Sequence, residues 1–218
     1  MARKFDLLVF DWDGTLCDSV AAIVEAVQAA CRDLSIEEPS DYHARQVIGL
    51  GLADALRHSA PNLDEDRFPE MVERYRFHYL SQDHRLRLFD GVPELLHEMT
   101  SAGFTLAIAT GKSRLGLNRA LANPGLGAFF SATRCADECF SKPHPQMLQE
   151  LMEEFDVPPE RTLMIGDTTH DLLMAKNAGV ASLAVSYGAH AAEVLETLAP
   201  LACLSAVSEV RCWLKSNA

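Results

Sequence analysis

Short, continuous apolar runs recur along this chain, and they limit the folds that it can adopt. Runs of strand length without a regular alternation of polar residues are typical of parallel strands that are buried on both faces. The runs span residues 5–10, 104–110, 132–135, 162–166, 181–185 and 201–204. The run at 132–135 is the weakest of them, because it contains two polar residues.

Helical segments separate the later runs. The segment 93–103 begins with a proline and ends with a glycine, the usual asymmetry of helix ends. Residues 142–155 and 170–179 also have helical patterns, and a short closing helix is expected after Ala206. This alternation of strands and helices predicts an α/β fold with a doubly wound parallel sheet, that is, a Rossmann-like core.

Residues 17–87 interrupt the alternation, because no convincing strand occurs among them. The segments with helical character are 19–34, 46–59 and 64–84. We therefore predict a helical domain of residues 17–87, inserted into a core that residues 1–16 and 88–218 form.

The composition narrows the functional classes. The 218 residues are 48% hydrophobic and 23% charged, as in an ordinary globular protein, and no run approaches the ~18 apolar residues of a membrane span. The formal net charge of −12 argues against a nucleic-acid partner, because phosphates attract a basic surface. The six cysteines have no disulfide-like or zinc-like spacing, which favours reduced thiols in a cytoplasmic protein.

Acidic residues follow two of the apolar runs. Asp11 and Asp13 end the first run, in "FDWDGT". Asp167 and Asp171 follow the fourth run, in "GDTTHD". Because ligands of doubly wound sheets bind outside the carboxyl ends of the strands, we expect these four carboxylates to meet at one site.

A hydroxyl group and lysines are expected beside the acids. Thr110 and Lys112 end another run, in "ATGKS", and Lys142 precedes a helix, in "SKPHP". Crowded carboxylates repel one another unless a dication is present, and their hard oxygen atoms suit Mg²⁺. One carboxylate can attack phosphorus and form an aspartyl-phosphate, while its neighbour transfers the proton. The lysines would also have to offset the acidic charge of the chain to attract a phosphate.

Four motifs resemble those of the haloacid dehalogenase superfamily. "DWDGTL", "ATGKS", "KPHP" and "GDTTHD" occur in the order of that family's motifs, and the resemblance covers nearly the whole chain. It implies that the helical insert at 17–87 is a mobile cap over the site. Within the insert, the glycine-containing segment "VIGLGLADAL" is similar to phosphoglycolate phosphatases.

The resemblance also implies catalytic and phosphate-binding roles. Asp11 would be the nucleophile, and Asp13 would be the acid that protonates the leaving group and the base that activates water. The residues that would bind the phosphoryl group are Thr110, Gly111 and Lys142. The family commonly has Asn at the position of Gly111, where this chain departs from the pattern.

The same resemblance implies a metal site. Mg²⁺ would be held by Asp11, by the backbone carbonyl of Asp13 and by Asp167, with Asp171 at or near the metal. The family's strand order would place the first strand between the strands that carry Thr110 and Asp167, so that the motifs share one edge of the sheet.

The function predicted from these observations is a cytoplasmic, magnesium-dependent phosphatase that acts on a small phosphorylated metabolite such as phosphoglycolate. We expect a monomer or a homodimer without nucleic-acid or membrane partners. A sugar-phosphate phosphomutase uses the same residues and is an alternative. A phosphoacceptor signalling module is an alternative of another class, although such modules lack a large helical insert.

Some polar residues near the motifs have simpler interpretations. Asp171 also suits an N-terminal cap of the following helix. Lys112 is expected to be a surface or structural lysine, and Ser19 is expected to cap the first helix of the insert. His144 and His170 are expected to form local hydrogen bonds.

Overall fold

Strands and helices alternate through most of this computed structural model, which describes residues 3–82, 85–122 and 125–218. The strands are β1 (Leu7–Phe10), β2 (Cys17–Asp18), β3 (Arg87–Leu88), β4 (Thr105–Thr110), β5 (Ala132–Cys135), β6 (Thr162–Gly166), β7 (Ala181–Val185) and β8 (Cys203–Leu204). The helices are α1 (Val20–Asp33), α2 (Asp41–Gln46), α3 (Leu52–Ser59), α4 (Phe68–Ser81), α5 (Val92–Ser101), α6 (Arg114–Ala120), α7 (Gln146–Phe155), α8 (Thr169–Asn177), α9 (Ala192–Glu196) and α10 (Val207–Asn217). None of the helices within the described ranges has the length and apolar character that a membrane crossing requires.

Six of the described strands form one sheet in the order β5-β4-β1-β6-β7-β8, and their pairings are parallel. The central strand β1 pairs with β4 and β6 in the same register, so that Phe10 lies beside Ile108 and Ile165. The predicted doubly wound α/β fold is confirmed. The predicted place of the first strand, between the strand that ends at Thr110 and the strand that precedes Asp167, is confirmed as well.

Helices cover both faces of the sheet. Leu8 and Phe10 pack in an apolar cluster with residues of α5 and α10, whereas Leu7 and Val9 pack in a second cluster with residues of α7 and α8. Successive side chains of a strand point to opposite faces, so a strand with two covered faces must be apolar throughout. This burial explains the uninterrupted apolar run, and it leaves the carboxyl edge of the sheet as the place for polar groups.

Helices α1–α4 lie between β2 and β3, and we call residues 20–81 the cap helices. Their own apolar cluster includes Val27, Leu56 and Met71, which are buried away from the two clusters of the sheet. The division into domains at residues 17–87 stays a prediction, which the separate apolar cluster supports.

The structure differs from the sequence prediction at several short elements. β2 and β3 form an antiparallel pair at the two ends of the segment that was expected to lack strands, and two residues each are too few to form a pattern. The pattern also does not predict α2, α6 and α9, which have five to seven residues. α3 begins at Leu52 rather than near residue 46, because the chain turns at Gly49 with a φ of +94°.

The remaining helix predictions agree with the structure. The segments at 19–34 and 142–155 contain α1 and α7, the segments at 93–103 and 170–179 cover all but the first residue of α5 and α8, and the closing helix after Ala206 is α10. The segment at 64–84 contains α4, and its residues 83–84 lie outside the described residues.

Candidate active site

The motif residues lie together at the carboxyl edge of the sheet. Asp11 directly follows β1, Thr110 is the last residue of β4, and Asp167 directly follows β6. Because β1 pairs in the same register with both neighbours, the three positions are adjacent in space. All three residues are buried, so their polar groups must find partners inside the protein or in a bound ligand.

Lys142 joins two of the carboxylates. Its Nζ donates hydrogen bonds to Oδ1 of Asp11 at 2.7 Å and to Oδ1 of Asp171 at 2.6 Å. The side chains of all three residues are at most 1% exposed. Within the described part of the chain, Oδ2 of Asp11 has no hydrogen-bond partner. One oxygen of Asp11 is therefore held by a lysine, and the other is available to a ligand.

The other two carboxylates are held by their own neighbours. Asp167 accepts hydrogen bonds from Oγ1 of Thr15 at 2.9 Å and from the backbone amide of Ala189 at 2.7 Å. Asp171 accepts hydrogen bonds at Oδ2 from the amide and the hydroxyl of Thr168. Thr168 is the N-cap residue of α8, and Asp171 completes a capping box at the third helical position. The expectation that Asp171 caps this helix is confirmed, although the N-cap residue is Thr168 rather than Asp171.

Burial makes the negative charges of this site costly. Burial raises the pKa of Asp11 to about 7, and the charge of Asp171 adds to the increase, although Lys142 opposes both effects. Burial likewise raises the pKa of Asp167 well above its usual range, with further contributions from Asp11 and Asp171. Burial favours the neutral form of Lys142, but the two facing carboxylates outweigh it and raise its pKa. The site thus holds more negative charge than one lysine neutralises.

The donor set fits a hard dication such as Mg²⁺. Asp11, Asp167 and Asp171 each offer a carboxylate oxygen, and these oxygens lie within 4.8 Å of one another. Oxygen-only ligands of this kind suit Mg²⁺, and the unpartnered Oδ2 of Asp11 is an independent sign of a missing ligand. The backbone also comes very close here, since a Cβ atom built on Gly14 would collide with the Asp167 carboxylate.

Asp13 lies at the boundary between the core and the cap helices. Its Oδ1 accepts hydrogen bonds from Oγ of Ser19 at 2.7 Å and from Nζ of Lys112 at 3.0 Å. Lys112 also donates a hydrogen bond to the hydroxyl of Tyr79, on α4, at 2.8 Å.

Two residues that were expected to have simple structural roles, Lys112 and Ser19, both bond to Asp13. For Lys112 the structural alternative of the prediction holds, because its side chain is only 10% exposed and its Nζ bonds to Asp13. Ser19 occupies the N-cap position of α1 but makes no side-chain cap, since its hydroxyl faces Asp13 instead. No sequence motif marks Tyr79, whose contact depends on where the cap helices lie.

Thr110 and Gly111 differ in their surroundings. Oγ1 of Thr110 accepts a hydrogen bond from the amide of Lys112 at 3.1 Å, which leaves its own proton free to donate. A Cβ atom built on Gly111 would collide with the carbonyl oxygens of Gly49 and Leu50, in the loop before α3. A glycine at this position thus allows the cap loop to lie directly on the end of β4.

The two histidines behave differently from each other. Nδ1 of His144 accepts a hydrogen bond from the amide of Gln146, so the predicted local interaction is confirmed. Nε2 of His170 is 2.8 Å from the carbonyl oxygen of Gln46, at the end of α2. The prediction of a local bond is wrong for His170, because the ring links α8 to the cap helices.

A cavity of about 1060 Å³ separates the cap helices from the core. Its lining includes Asp13, Gly111 and Lys112, which places one end of the cavity at the motif residues. A substrate can therefore lie between the cap helices and the carboxyl edge of the sheet.

Comparison with known proteins agrees with this geometry. The family model described as haloacid dehalogenase-like hydrolase matches residues 8–185. The chain belongs to this family. The probable phosphatase IndB of Dickeya dadantii (strain 3937) is 37% identical over 210 residues, which cover 94% of this chain and 91% of that protein.

Further relatives of the haloacid dehalogenase-like chain are named as phosphatases. The phosphoglycolate phosphatase of Vibrio parahaemolyticus serotype O3:K6 (strain RIMD 2210633) is 33% identical over 217 residues, which cover 95% of each protein. The pyrophosphatase PpaX of Anoxybacillus flavithermus (strain DSM 21510 / WK1) is 30% identical over 209 residues, with the same coverage. The crystal structure of a predicted phosphoglycolate phosphatase from Haemophilus somnus 129PT superposes with a TM-score of 0.85 at 25% identity, covering 96% of this chain and 98% of that one.

Family membership identifies the chain as an enzyme, a phosphatase of the haloacid dehalogenase-like type. The alternative of a signalling module is therefore dropped.

Proposed function

We propose that this protein is a Mg²⁺-dependent phosphatase that hydrolyses a small organic phosphomonoester through an aspartyl-phosphate on Asp11. The observation that carries the proposal is the environment of the Asp11 carboxylate. Its carboxylate is buried at the tip of the central strand, one oxygen is held by Lys142, and the other has no partner among the described residues. A carboxylate with one unpartnered oxygen can attack phosphorus. Without a further cation, burial makes its negative charge costly.

The reaction needs two proton transfers, and we assign both of them to Asp13. In the first step, a carboxylate oxygen of Asp11 bonds to phosphorus and the ester P–O bond breaks, while Asp13 gives its proton to the departing alkoxide oxygen. In the second step, Asp13 removes a proton from water, the water oxygen bonds to phosphorus, and the bond to Asp11 breaks. The products are the alcohol, inorganic phosphate and the original Asp11 carboxylate.

The phosphoryl oxygens need cations and donors. We propose that Lys142 and the hydroxyl of Thr110 bind them, together with backbone amides at Gly111. Lys142 has three N–H bonds, two of which face Asp11 and Asp171, so its ammonium group can bind a phosphoryl oxygen without leaving the carboxylates. The unused proton of Thr110 supports a donor role.

The residues that would hold Mg²⁺ are Asp11, Asp167 and the backbone carbonyl of Asp13, with Asp171 at or near the metal. When bound, the ion neutralises the carboxylates and stabilises charge on the phosphoryl oxygens. Asp171 has one oxygen bonded to the ammonium group of Lys142 and the other to Thr168, whereas the partners of Asp167 are uncharged, which supports a position of Asp171 beside the metal.

We also propose that residues 17–87 form a cap that closes over the substrate and excludes water. The phosphoglycolate phosphatases among the relatives suggest phosphoglycolate as the first substrate to assay. A phosphomutase would return the phosphoryl group to a sugar phosphate. Incubation with β-glucose 1-phosphate and a bisphosphate primer distinguishes the two reactions, because a mutase gives isomerised sugar phosphate and a phosphatase gives inorganic phosphate. We keep cytoplasmic location, and a monomeric or homodimeric state, as predictions.

The direct test is to trap the intermediate. The full chain with Mg²⁺ is mixed with a phosphomonoester that it hydrolyses, quenched in acid, and digested for mass spectrometry. We expect a phosphorylated peptide that contains Asp11, and none from the Asp11→Asn variant. A phosphopeptide elsewhere, or steady turnover without any phosphopeptide, would overturn the proposal.

A further inference from the structure

We infer that the substrate carries an apolar organic group, larger than glycolate, on its phosphate ester. This inference rests on the proposed function, because it concerns the leaving group of the same reaction. The cavity of about 1060 Å³ has Asp13, Gly111 and Lys112 in its lining, so a leaving group on a phosphoryl group at Asp11 would extend into it. Glycolate is only a few atoms in size and would leave most of this space to water, at ~30 Å³ for each molecule.

The wall that the cap helices contribute is apolar. Its lining residues include Ile23, Ile48, Leu50 and Leu52. Among the lining positions of residues 20–81, Arg76 is the one charged side chain, and it is exposed to solvent. A carboxylate or a group rich in hydroxyls would lose hydration against this wall without gaining hydrogen bonds. An apolar group gains about 25 cal/mol for each Å² that it removes from water.

The core side of the cavity has three acidic and three basic side chains in its lining, so it offers no net positive charge to the carboxylate of glycolate. Lys112 already donates to Asp13 and to Tyr79. The other charged lining residues of the core are Arg87, Asp90, Arg119 and Asp137, whose formal charges cancel. The cavity therefore selects for an apolar body next to the phosphate rather than for a second anion.

The test compares 2-phenylethyl phosphate with 2-phosphoglycolate, using the full chain with Mg²⁺. Both are esters of primary alcohols, so the ratio of their kcat/KM values reports mainly on contacts with the leaving group. We expect kcat/KM to be about tenfold or more higher for 2-phenylethyl phosphate, as apolar groups achieve in such pockets. An equal or higher value for 2-phosphoglycolate overturns the inference and leaves the phosphatase function in place.

A pair of variants tests the wall itself. Ile23→Ala should reduce the preference about tenfold, whereas Leu201→Ala, at an exposed leucine beside β8, should leave it unchanged. Leu52→Ala replaces Ile23→Ala if that variant fails to fold. An unchanged preference in the cavity variant overturns the inference. If the wild-type protein releases phosphate from no monoester, the proposed function itself fails, and this inference fails with it.

A separate observation, the hydrogen bonding of Lys112, assigns a positioning role to that lysine. We propose that Lys112 holds the Asp13 carboxylate in the orientation for proton transfer, and that its contact with Tyr79 makes this orientation depend on the cap helices. The inference also rests on the proposed function, since it concerns the role of Asp13.

Three elements converge on this contact. Asp13 follows β1, Lys112 follows β4, and Tyr79 belongs to α4 of the cap helices. The ammonium group of Lys112 bonds to both partners and also lies 4.9 Å from the centre of the Tyr79 ring. The Lys112 side chain is only 10% exposed, so water competes little for these bonds. The bond to Tyr79 exists only while α4 lies against the core.

The test substitutes Lys112 and Tyr79 singly and together, and it measures whether the decreases in kcat are additive. Tyr79→Phe deletes one hydrogen bond and should lower kcat about three- to tenfold, the net value of such a bond, with little change in KM. Lys112→Met should lower kcat about 10²-fold, as misplacement of a catalytic group does. Because Tyr79 acts through Lys112, the double variant should be no slower than Lys112→Met.

Two further variants provide comparisons. Tyr75→Phe removes the hydroxyl of the ring that stacks on Tyr79 at 5.8 Å, and it must lower kcat less than Tyr79→Phe does. Lys112→Arg, which keeps the charge, should recover part of the lost kcat. Additive decreases in kcat in the double variant, or equal decreases in the two tyrosine variants, overturn the positioning role. The proposed function does not depend on these outcomes, because it is tested by the activity of the wild-type protein. If Lys112→Met does not fold, the two tyrosine variants decide the question.

Discussion

The surroundings of Asp11 and Asp13 differ, although one residue separates them. Asp11 lies inside the core, where its partner Lys142 and its neighbour Asp171 come from loops and helices of the core alone. Asp13 lies at the edge, where it meets Ser19 at the start of the cap helices and, through Lys112, Tyr79 of α4. The proposed nucleophile is therefore surrounded by the core, whereas the proposed acid and base is linked to the cap helices through Lys112.

Asp11→Asn tests the role of the proposed nucleophile in the core, and it should have the largest effect. We expect kcat to fall by at least about 10⁴-fold, because the side-chain amide of asparagine cannot form the aspartyl-phosphate. The melting temperature should stay the same or rise, since burial raises the pKa of Asp11 to about 7 and its charge is therefore costly. Phosphate release and thermal unfolding measure the two effects. Asp18→Asn, at an exposed carboxylate, is the control, and residual activity near the wild-type level would contradict the assignment.

Asp13→Asn tests the role of the proposed acid and base at the edge of the core. The amide cannot accept a proton from water, so breakdown of the aspartyl-phosphate should slow by about 10²–10⁴-fold. A single-turnover experiment with acid quench should then show the intermediate accumulating. Single-turnover rates equal to those of the wild type would remove Asp13 from the reaction.

Lys142→Met tests how much this lysine contributes to the stability of the folded core. The variant leaves Asp11 and Asp171 buried without their cation, so the free energy of unfolding should fall by about 3–5 kcal/mol. Urea unfolding without Mg²⁺ measures the change. Lys176→Met, at an exposed lysine of α8, should cost far less. Similar losses in both variants would show that Lys142 does not hold the acidic cluster together.

Gly111→Ala tests the contact between the cap loop and the core. The added methyl group collides with the carbonyl oxygens of Gly49 and Leu50, so the loop must move away from β4. We expect kcat/KM to fall about tenfold through a shift of about 1 Å or less in the site, while the stability of the core changes little. Gly127→Ala, whose Cβ would lie 3.7 Å from the carbonyl oxygen of Leu121, is the matched control. Equal kcat/KM values in the two variants would contradict this account.

The smallest effect concerns pH and Mg²⁺. Burial raises the pKa values of Asp11 and Asp167, so the folded, metal-free protein binds more protons than the unfolded chain above about pH 4. Its stability should therefore fall as the pH rises towards about 7, whereas Mg²⁺ binds the deprotonated acids. We expect saturating Mg²⁺ to raise the melting temperature by a few degrees more at about pH 8 than at about pH 5. Asp167→Asn should remove most of this difference, and a larger increase at low pH would contradict the argument.

Sequence reasoning succeeds where the signal is local or repeated. The run at 162–166 predicts β6 because a strand buried on both faces must be apolar throughout. The place of Asp167 after β6 follows, since residues that continue a parallel strand come to the carboxyl edge. The same reasoning misses β2 and β3, which have two residues each. It also leaves open whether Lys112 is a surface or a structural lysine, because a lone lysine after a strand has no local feature that distinguishes the two.

The order of residues along the chain was sufficient to predict the α/β architecture and the edge of the sheet at which the acids meet. Both follow from short-range patterns, namely apolar periodicity and the position of polar residues after a strand. Folding in three dimensions decided which groups touch: Lys142 with Asp11, 131 residues away in the chain, and Lys112 with Asp13, 99 residues away. Such pairs, and the apolar cavity under the cap helices, depend on how whole elements pack, and packing joins residues that no local pattern connects.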